Sequence, residues 1–388
     1  SSAGRLFYVQ DEGPIGFVDE RFPDKKSLVA RDAFNGTLLW KRPMKSWYTS
    51  RDNWRSVPVA MQRRFVAKDD KLYVTLGLGE PVSVLNGATG ENVMTYEGTE
   101  EATEIIFAQG VLLVAISASA QGDEGVGRKG IVAVDADSGE ILWRNEGAPT
   151  PFSLCSSSDR AFAVIDQKLV CLDLNSGKQL WQASGLALSG QTPVIAQEEF
   201  IIVAGKGQVI ALSAQSGKVL WTQDDETSKQ MRGTLAAFVS PRDAFVVDGL
   251  IWLGLSGKGL NPLSGESRRS IDVAETPGHH HRCYMRKATS RYILGSKRGI
   301  EFLDVTGNSP AALYDWTRGS CRVGVVPCNG LIYLPPNACR CYIEAQMHGF
   351  YAMASDPVPR RDDAIRLDPD RLEAGPALSN GPRPDARP

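Results

Sequence analysis

The sequence predicts an all-β fold, a β-propeller of four-stranded antiparallel blades, and three observations support it. First, one short phrase of the form Gly-x-x-Leu-Trp ends at four tryptophans: Trp40, Trp143, Trp181 and Trp221. Second, each phrase follows an apolar run and a glycine turn, which is typical of short antiparallel strands. Third, the unit recurs about every 40 residues, a period that indicates a solenoid, a propeller or an array.

The third unit shows how four strands, A to D, fit into one repeat. Residues 110–117 and 130–135 are β-type runs, and the turn between the second run and the phrase 140–143 contains Gly139, where a positive φ is easily adopted. Antiparallel hairpins A–B and C–D follow in each unit. Short strands joined at this spacing favour radial repetition, which is the propeller architecture.

The count of C–D turns predicts eight blades, with seven as the alternative. Seven such turns are centred on Gly36, Gly90, Gly139, Gly177, Gly217, Gly265 and Gly307. A last A–B–C set between residues 322 and 354 completes the eighth blade. The first blade is expected to lack strand A and the eighth to lack strand D.

The predicted domain division places the propeller in residues 1–354. Residues 355–388 are rich in Pro, Arg and Asp and are predicted to be a tail or linker. An open blade edge is a liability for a β protein, so we expect the tail, an upstream segment or a partner to complete the ring.

Composition excludes two broad classes of function. The net charge of −2 gives no electrostatic basis for binding nucleic acid. There is no run of 18 apolar residues, so we expect no membrane span. The chain begins with Ser-Ser, and we expect it to be part of a longer protein whose other domains could be its partners.

The repeat phrase resembles that of quinoprotein-like, PQQ-repeat β-propellers. Its full form is Val-x-Ala-Leu/Val-Asp-x-x-Ser-Gly-Lys/Glu-x-Leu-Trp, and residues 131–143 match it with Ile131 in place of the first Val. The resemblance implies that the repeat tryptophans dock neighbouring blades. Three late segments, 278–284, 316–321 and 335–341, are similar to a secreted bacterial subgroup with His-His-His-Arg-Cys and Cys-x-Cys sequences, which implies a periplasmic or secreted location.

The same resemblance bears on cofactors. Quinoprotein dehydrogenases of this family hold PQQ against a disulfide between adjacent cysteines and bind calcium nearby. This chain has no Cys-Cys dipeptide, since Cys339 and Cys341 are separated by one residue, and we do not expect PQQ. No Cys-x-x-Cys-His occurs, so haem c is not expected either. A PQQ- and calcium-dependent dehydrogenase remains a third alternative.

A set of late Cys and His residues is the leading candidate site. D-to-A and B-to-C connections of a propeller emerge on one face, so loops of blades six, seven and eight should meet there. Thiolate and imidazole groups are natural ligands of zinc and copper. Side chains alternate along a strand, which favours the outer two of three consecutive histidines. The predicted metal ligands are His279, His281, Cys283, Cys321, Cys339 and Cys341. Structural disulfides and reactive thiols remain open for the same cysteines.

Arginines and aromatic residues in these loops predict a place for a small anionic or sugar-like ligand. Arginine pairs well with carboxylate and phosphate, and aromatic rings stack on sugars. The predicted substrate-binding residues are Arg282, Arg318, Arg340, Trp47, Trp54 and Arg51. Packing of the loops over the blades is the alternative use of the same residues. Elsewhere, Cys171 is predicted to be a buried small hydrophobic residue, and the role of Cys155, at the start of an A strand, stays open.

The leading functional hypothesis is a secreted or periplasmic propeller that binds a small molecule at the Cys/His site. It leaves open whether the protein is a metal-dependent or oxidoreductase-type enzyme. The second hypothesis is a non-catalytic scaffold propeller within a longer multidomain protein.

Overall fold

The protein, seen in a computed structural model, is an eight-bladed β-propeller. The structure describes residues 1–12, 25–45, 62–117, 129–147, 149–188, 192–205, 207–224, 244–253, 256–271, 273, 286–295, 299–314, 316–319, 323–334 and 349–354. Within these residues the strands form eight antiparallel sheets, so the predicted architecture and the count of eight are confirmed. By its contacts the chain divides into two units, Ser1–Ala352 and Met353–Pro388.

The blades follow one another in chain order. The first four consist of β1 (Arg5–Asp11), β2 (Lys26–Asp32) and β3 (Leu38–Met44); β4 (Phe65–Lys68), β5 (Lys71–Thr75), β6 (Val82–Asn86) and β7 (Asn92–Tyr96); β8 (Ala102–Ala108), β9 (Val111–Ser117), β10 (Lys129–Asp135) and β11 (Ile141–Asn145); and β12 (Cys155–Ser157), β13 (Arg160–Ile165), β14 (Lys168–Asp173) and β15 (Gln179–Ala183).

The second half of the ring repeats this order. It consists of β16 (Val194–Ala196), β17 (Phe200–Ala204), β18 (Gln208–Ser213) and β19 (Val219–Asp224); β20 (Ala244–Val247), β21 (Leu250–Leu253), β22 (Lys258–Leu260) and β23 (Ser267–Ser270); β24 (Lys287–Ala288), β25 (Tyr292–Gly295), β26 (Ile300–Asp304) and β27 (Ala312–Tyr314); and β28 (Val326–Cys328), β29 (Leu331–Leu334) and β30 (Tyr351–Ala354).

The A strands lie at the centre of the ring. Strand β8 contacts β4 and β12, β12 contacts β16, and β24 contacts β28, so the first strands of neighbouring blades contact one another. The first and last sheets have three strands each in the described part of the chain. This matches the sequence prediction that blade 1 lacks strand A and blade 8 lacks strand D.

The C–D turns have the geometry that their sequences predict. In blade 3 the Asp135 carboxylate accepts hydrogen bonds from the backbone N–H groups of Asp137 (3.1 Å) and Ser138 (2.7 Å). In this kind of turn the residue that follows Ser138 has a positive φ. Glycine adopts that conformation without strain. Gly139 has φ of +79°, and the corresponding glycines of the other predicted turns have φ between +67° and +75°.

A bulge in the C–D pairing places the repeat tryptophan opposite a small residue. Trp143 faces Ala133, Trp181 faces Cys171, and the register shifts one residue later in both blades. Bulges increase the local twist of a strand pair. Cys171 is fully buried, as predicted, because the position opposite the indole accepts only a small side chain.

The tryptophans dock each blade onto the next, as the family resemblance implies. In each case the indole Nε1–H donates to a backbone carbonyl in the C–D turn of the next blade. The acceptor residue comes directly after the polar residue that begins that turn. The four bonds are Trp40 to Gly87 (2.9 Å), Trp143 to Leu174 (2.8 Å), Trp181 to Ala214 (3.1 Å) and Trp221 to Pro262 (2.8 Å).

Two blades without the tryptophan use other donors for the equivalent carbonyl. In blade 2 the Tyr96 hydroxyl donates to the Ala136 carbonyl at 2.7 Å. In blade 6 an Nη1–H of Arg269 donates to the Val305 carbonyl at 2.9 Å. The position therefore requires a hydrogen-bond donor of sufficient reach rather than an indole.

The turn glycine has a second purpose, which is to make room for the indole. A Cβ on Gly177 would lie 2.6 Å from the Trp143 ring, and one on Gly217 would lie 2.5 Å from the Trp181 ring. Any other residue at either position would clash with the ring and would also have to adopt a positive φ.

The hydrophobic core lies between blades rather than within one sheet. One cluster joins Leu113 and Ala133 of blade 3 to Ala163 and Leu172 of blade 4, and the same arrangement recurs around the ring. The burial of apolar side chains therefore holds consecutive blades together, in addition to the hydrogen bonds.

Blades 8 and 1 close the ring through side chains. The Tyr333 hydroxyl donates to the Ala33 carbonyl at 2.6 Å, so the closing interface satisfies the same turn position as the tryptophans do. The Phe350 ring stacks on Tyr8 with ring centroids 5.3 Å apart, and Leu6 packs in the same cluster.

We predict that Trp143→Phe is more destabilising than Trp181→Phe. Both changes delete an indole N–H and similar volume, but Arg160 also donates to the Ala214 carbonyl (2.7 Å), which therefore stays hydrogen-bonded in Trp181→Phe. In Trp143→Phe the buried Leu174 carbonyl loses its indole donor. The excess loss should be about 1–2 kcal/mol in urea unfolding, the cost of an unpaired buried acceptor. Equal losses would show that packing alone fixes the blade spacing.

Candidate functional site at the channel mouth

The structure describes one of the residues that the sequence assigns to the site. Arg318 lies in the D-to-A connection into blade 8, is 2% exposed, and donates through Nη1–H to the Gly319 carbonyl at 3.1 Å. Its predicted role in binding an anion is untested. The other predicted residues lie outside the described ranges, and their roles stay predictions: Arg282, Arg340, Trp47, Trp54, Arg51, His279, His281, Cys283, Cys321, Cys339 and Cys341.

The described residues contain no group of three His, Cys, Asp or Glu side chains that could hold a metal ion. Three cysteines are described, and all are free thiols: Cys155, Cys171 and Cys328. Cys155 and Cys171 both flank Phe162, one on each neighbouring strand, so they are two strand spacings apart, beyond the reach of a disulfide.

Three consecutive blades contribute to a polar cluster near the starts of their A strands, where the D-to-A connections enter. We call Arg63 of blade 2, Glu104 of blade 3 and Phe152 of blade 4 the three-blade cluster. The Arg63 guanidinium forms an ion pair with the Glu104 carboxylate and lies over the Phe152 ring, 5.0 Å from its centroid. The Phe152 backbone N–H donates to Glu104. The cluster thus ties three blades together at the channel.

A strained loop positions the Phe152 backbone toward Glu104. Phe152 has φ of +70°, which is unfavourable for a bulky residue and requires support from its surroundings. Ser153 supplies it: its hydroxyl donates to the Thr150 carbonyl at 2.6 Å and accepts from the Val164 N–H at 2.9 Å. These bonds fix the loop to strand β13.

Burial shifts the titration of the cluster. It raises the pKa of Glu104, and the positive charge of Arg63 opposes this only in part. The Glu104 side chain is 6% exposed, whereas Arg63 is 32% exposed and keeps contact with water. Burial also raises the pKa of the neighbouring Cys155 thiol to about 12, and the Glu104 charge adds to the shift. Cys155 is therefore protonated and unreactive at neutral pH.

Four cationic side chains and the neutral Gln62 precede or begin two A strands on the same face. Gln62, Arg63 and Arg64 lead into strand β4 of blade 2, while Arg286 and Lys287 stand at the start of β24 in blade 7. The Lys287 ammonium donates to the Gln62 side-chain carbonyl at 3.0 Å. Lys287 and Gln62 are 225 residues apart in the sequence, so their contact is a tertiary one. It places the starts of β4 and β24 next to each other at the channel mouth.

Sequence reasoning identified the face and Arg286, but it did not find the three-blade cluster or Lys287. One signal was present: Glu104 is the one charged residue in a strand, Ala102–Ala108, that is apolar apart from Thr103 and Glu104. A charge in such a strand indicates a buried partner or a polar channel. The partner Arg63 is 41 residues away, and its identity depends on which blades are neighbours.

These features define a PQQ-repeat type of propeller, with its blades docked by indole hydrogen bonds and a polar channel mouth. The chain belongs to the family PQQ_2, described as outer membrane protein assembly factor BamB, which matches residues 24–166 and 127–326. The match includes blades 2 to 7 completely. It shows the family and not the His-His-His-Arg-Cys subgroup.

Individual relatives are distant. Outer membrane protein assembly factor BamB of Burkholderia pseudomallei (strain K96243) is 25% identical over 162 residues, 37% of this chain and 40% of the relative. The alignment thus spans two fifths of that relative's length. No helix in the described part of the chain is long and apolar enough to cross a bilayer.

One solved structure supports the fold, and two others have a weaker similarity. The computationally designed Ika8 protein has a TM-score of 0.54 at 11% identity, covering 80% of this chain and 89% of that chain. Quinohemoprotein alcohol dehydrogenase from Comamonas testosteroni has a TM-score of 0.49 at 12% identity, with coverage of 85% and 72%. BamB from Moraxella catarrhalis has a TM-score of 0.42 at 14% identity, with coverage of 73% and 70%.

We predict that Glu104→Gln becomes more stable relative to the wild type as pH rises. A carboxyl group with a raised pKa binds its proton more tightly in the folded state. The wild type therefore loses stability between the ordinary carboxyl pKa and the raised one. Glutamine keeps an oxygen acceptor for the Phe152 N–H and does not titrate. Urea unfolding from pH 2.5 to pH 8 measures the difference and includes the range in which the Asp135 control titrates.

Asp135→Asn is the matched control, and its trend should have the opposite sign. Hydrogen bonds from Ser138 lower the Asp135 pKa, so the wild type gains stability over this variant as pH rises through the ordinary carboxyl range. The interpretation of the three-blade cluster would be wrong if both variants followed the same trend.

Proposed function

We propose that this chain is a protein-interaction propeller that assists the assembly of outer-membrane proteins in the bacterial periplasm. The observation that carries the proposal is the family match, which extends from residue 24 to residue 326 and is described as an outer membrane protein assembly factor. A fold alone would not support a function, because propellers serve many. The repeat match is more specific, since it extends through six consecutive complete blades.

The structure supports an interaction role because the residues that hold the blades together differ from those that are exposed on the surface. The repeat tryptophans are used between blades, which leaves the outer strands and connections to contact other molecules. Trp316 is 83% exposed, and Leu313 and Tyr314 beside it are 41% and 39% exposed. Tryptophan and tyrosine are enriched among the residues that dominate protein interfaces. This patch at the outer edge of blade 7 is the proposed contact for a partner protein with an apolar surface.

Loss of the gene should lower the amount of integral outer-membrane proteins in the cell from which the chain comes. Quantitative mass spectrometry of the outer-membrane fraction measures this. The wild-type gene should restore the amounts and Trp316→Ala should restore them only in part, because truncating an interface tryptophan commonly costs about 2 kcal/mol or more of binding. Unchanged amounts in the deletion strain would refute the proposed function.

Phe34→Ala is the matched control for the contact patch. Phe34 is an aromatic residue that is 66% exposed, but it lies in the C–D turn of blade 1, on the other face. It should restore the proteins fully. Equal defects in the two variants would point to stability rather than to the patch.

A ligand-binding role at the predicted Cys/His site is the second candidate function. It is supported by the burial of Arg318 in the D-to-A connection that leads to Cys321, on the face where the site is predicted. His279, His281, Cys283, Cys321, Cys339 and Cys341 would supply more donors than a tetrahedral zinc or copper site needs. A small anionic ligand would pair with Arg282, Arg318 and Arg340.

Elemental analysis of the purified chain tests this second function. Near-stoichiometric zinc or copper is expected, with loss of the metal in a His281→Ala, Cys283→Ser variant. Mass measurement with and without reductant separates the alternatives, because full pairing of the late cysteines without metal would mean structural disulfides. Dye-linked alcohol oxidation after addition of PQQ and calcium would instead support the dehydrogenase alternative.

A further inference from the structure

The turn between the first two strands of blade 8 contains an Asn-Gly pair that differs from the other described pairs of this kind. Asn-Gly pairs begin at Asn35, Asn86, Asn329 and Asn380, of which the last lies outside the described ranges. Asn329 and Gly330 form the two-residue turn between β28 and β29. Both are exposed, and both have a positive φ, +54° and +71°, as such a hairpin turn requires.

An Asn-Gly pair can modify itself without an enzyme. The backbone nitrogen of the glycine loses its proton and bonds to the asparagine Cγ, and ammonia leaves as a cyclic succinimide forms. Water then opens the ring at either carbonyl and gives aspartate or isoaspartate. Glycine favours the reaction because it has no side chain to obstruct the approach and its backbone rotates easily. A hydrogen bond that holds the attacking N–H opposes the reaction, since that bond has to open first.

In the pairs at Asn35 and Asn86 the attacking nitrogen is held. The Gly36 N–H donates to the Asp32 carbonyl at 3.1 Å, and the Gly87 N–H donates to the Asp70 carbonyl at 2.7 Å. Both asparagine side chains also accept hydrogen bonds from backbone N–H groups of their own turns. These two C–D turns therefore have several bonds to break before the reaction can occur.

The turn at Asn329 and Gly330 places fewer bonds in the way. Within the described residues the Gly330 N–H donates to no acceptor. The Asn329 side chain donates through Nδ2–H to the Tyr333 hydroxyl oxygen at 3.2 Å and, at 3.5 Å and 3.9 Å, to Ser1 and Cys328. The attack requires rotation of the backbone at Asn329, and no hydrogen bond of the glycine opposes that rotation.

The same asparagine supports the closure of the ring. The Tyr333 hydroxyl donates its one hydrogen to the Ala33 carbonyl at 2.6 Å, so its oxygen accepts from the Asn329 amide. The product of the reaction is a carboxylate, which has no hydrogen to donate. It would compete with the Ala33 carbonyl for the Tyr333 hydrogen, and a charged acceptor forms the stronger bond. The modification would thus draw Tyr333 away from blade 1.

We propose that Asn329 is a site of spontaneous deamidation and that the carboxylate it forms weakens the closure between blades 8 and 1. Water is the only co-reactant. The effect falls on an interface whose sheets each have three described strands, where side chains rather than a shared sheet hold the blades together. The proposal rests on neither of the proposed functions.

Peptide mass spectrometry of the full chain, aged at physiological temperature and mildly alkaline pH, tests the modification. Each site is identified from the mass gained when the side-chain amide becomes a carboxyl group, and the peptide with Asn380 is separated from the others. We expect Asn329 to convert about tenfold faster than Asn35 and Asn86, because the glycine N–H bonds of those two pairs must open first. Conversion at Asn329 that is no faster than at the other two would overturn the proposal.

Asn329→Asp isolates the effect on the closure. Aspartate tolerates a positive φ as asparagine does, so the backbone of the turn is kept. The variant, and aged wild-type protein in proportion to its conversion, should unfold at a lower urea concentration than fresh wild type. Asn35→Asp is the matched control: it adds the same charge to an exposed turn and keeps the oxygen that accepts from Thr37, so its midpoint should stay near that of the wild type.

A Tyr333→Phe background shows whether the loss passes through the hydroxyl. Phenylalanine keeps the ring that packs on Phe350 and removes only the group through which Asn329 acts. In this background Asn329→Asp should lower the midpoint by less than half of its effect in the wild type. A loss of equal size in both backgrounds, or an Asn329→Asp protein as stable as the wild type, would show that the closure does not depend on this amide and would overturn the proposal.

Discussion

The hydrogen bond from one blade to the turn of the next is the constraint on which the rest of this propeller depends. Each C–D turn leaves a carbonyl at the blade interface, and a buried carbonyl needs a donor. Indoles supply it in four blades, a phenol in blade 2, and a guanidinium in blade 6. These donors differ in chemistry and share one acceptor position. These bonds act together with the apolar side chains that pack between neighbouring blades.

The sequence was sufficient to predict the strands, the turns and the incomplete first and last blades. The turn at Gly139 and the phrase that ends in Trp143 are determined by residues close together in the sequence, so the sequence alone is enough to predict them. The substitutes for tryptophan could not be predicted in the same way. Tyr96 lies two residues after the tryptophan position, and Arg269 occupies it with a charged side chain. Their equivalence to the indole is seen only from their acceptors: Tyr96 donates to the Ala136 carbonyl and Arg269 donates to the Val305 carbonyl, at the same turn position in each blade.

The polar residues of the channel mouth show where sequence reasoning ends. The face was predictable, because connections of one kind emerge together. The pair Arg63–Glu104 and the contact Lys287–Gln62 join segments 41 and 225 residues apart, and both depend on how many blades the ring contains. The surroundings of Cys155 depend on the same neighbours, since its pKa is raised by burial and by the charge of Glu104. The predicted Cys/His site is supported by the ligand chemistry of its side chains. Those residues lie outside the described ranges, so the site stays a prediction.

Closure of the ring and a polar contact at its centre are connected. In the described residues, blades 8 and 1 have three strands each and meet through Tyr333, Phe350 and Tyr8 rather than through a shared sheet. Blades 7 and 2 flank this interface, and Lys287 reaches Gln62 across it. A repeat ring opens most easily at its least continuous interface, because each blade contacts mainly its neighbours. The contact between Lys287 and Gln62 joins the blades on either side of the closure and therefore opposes its opening.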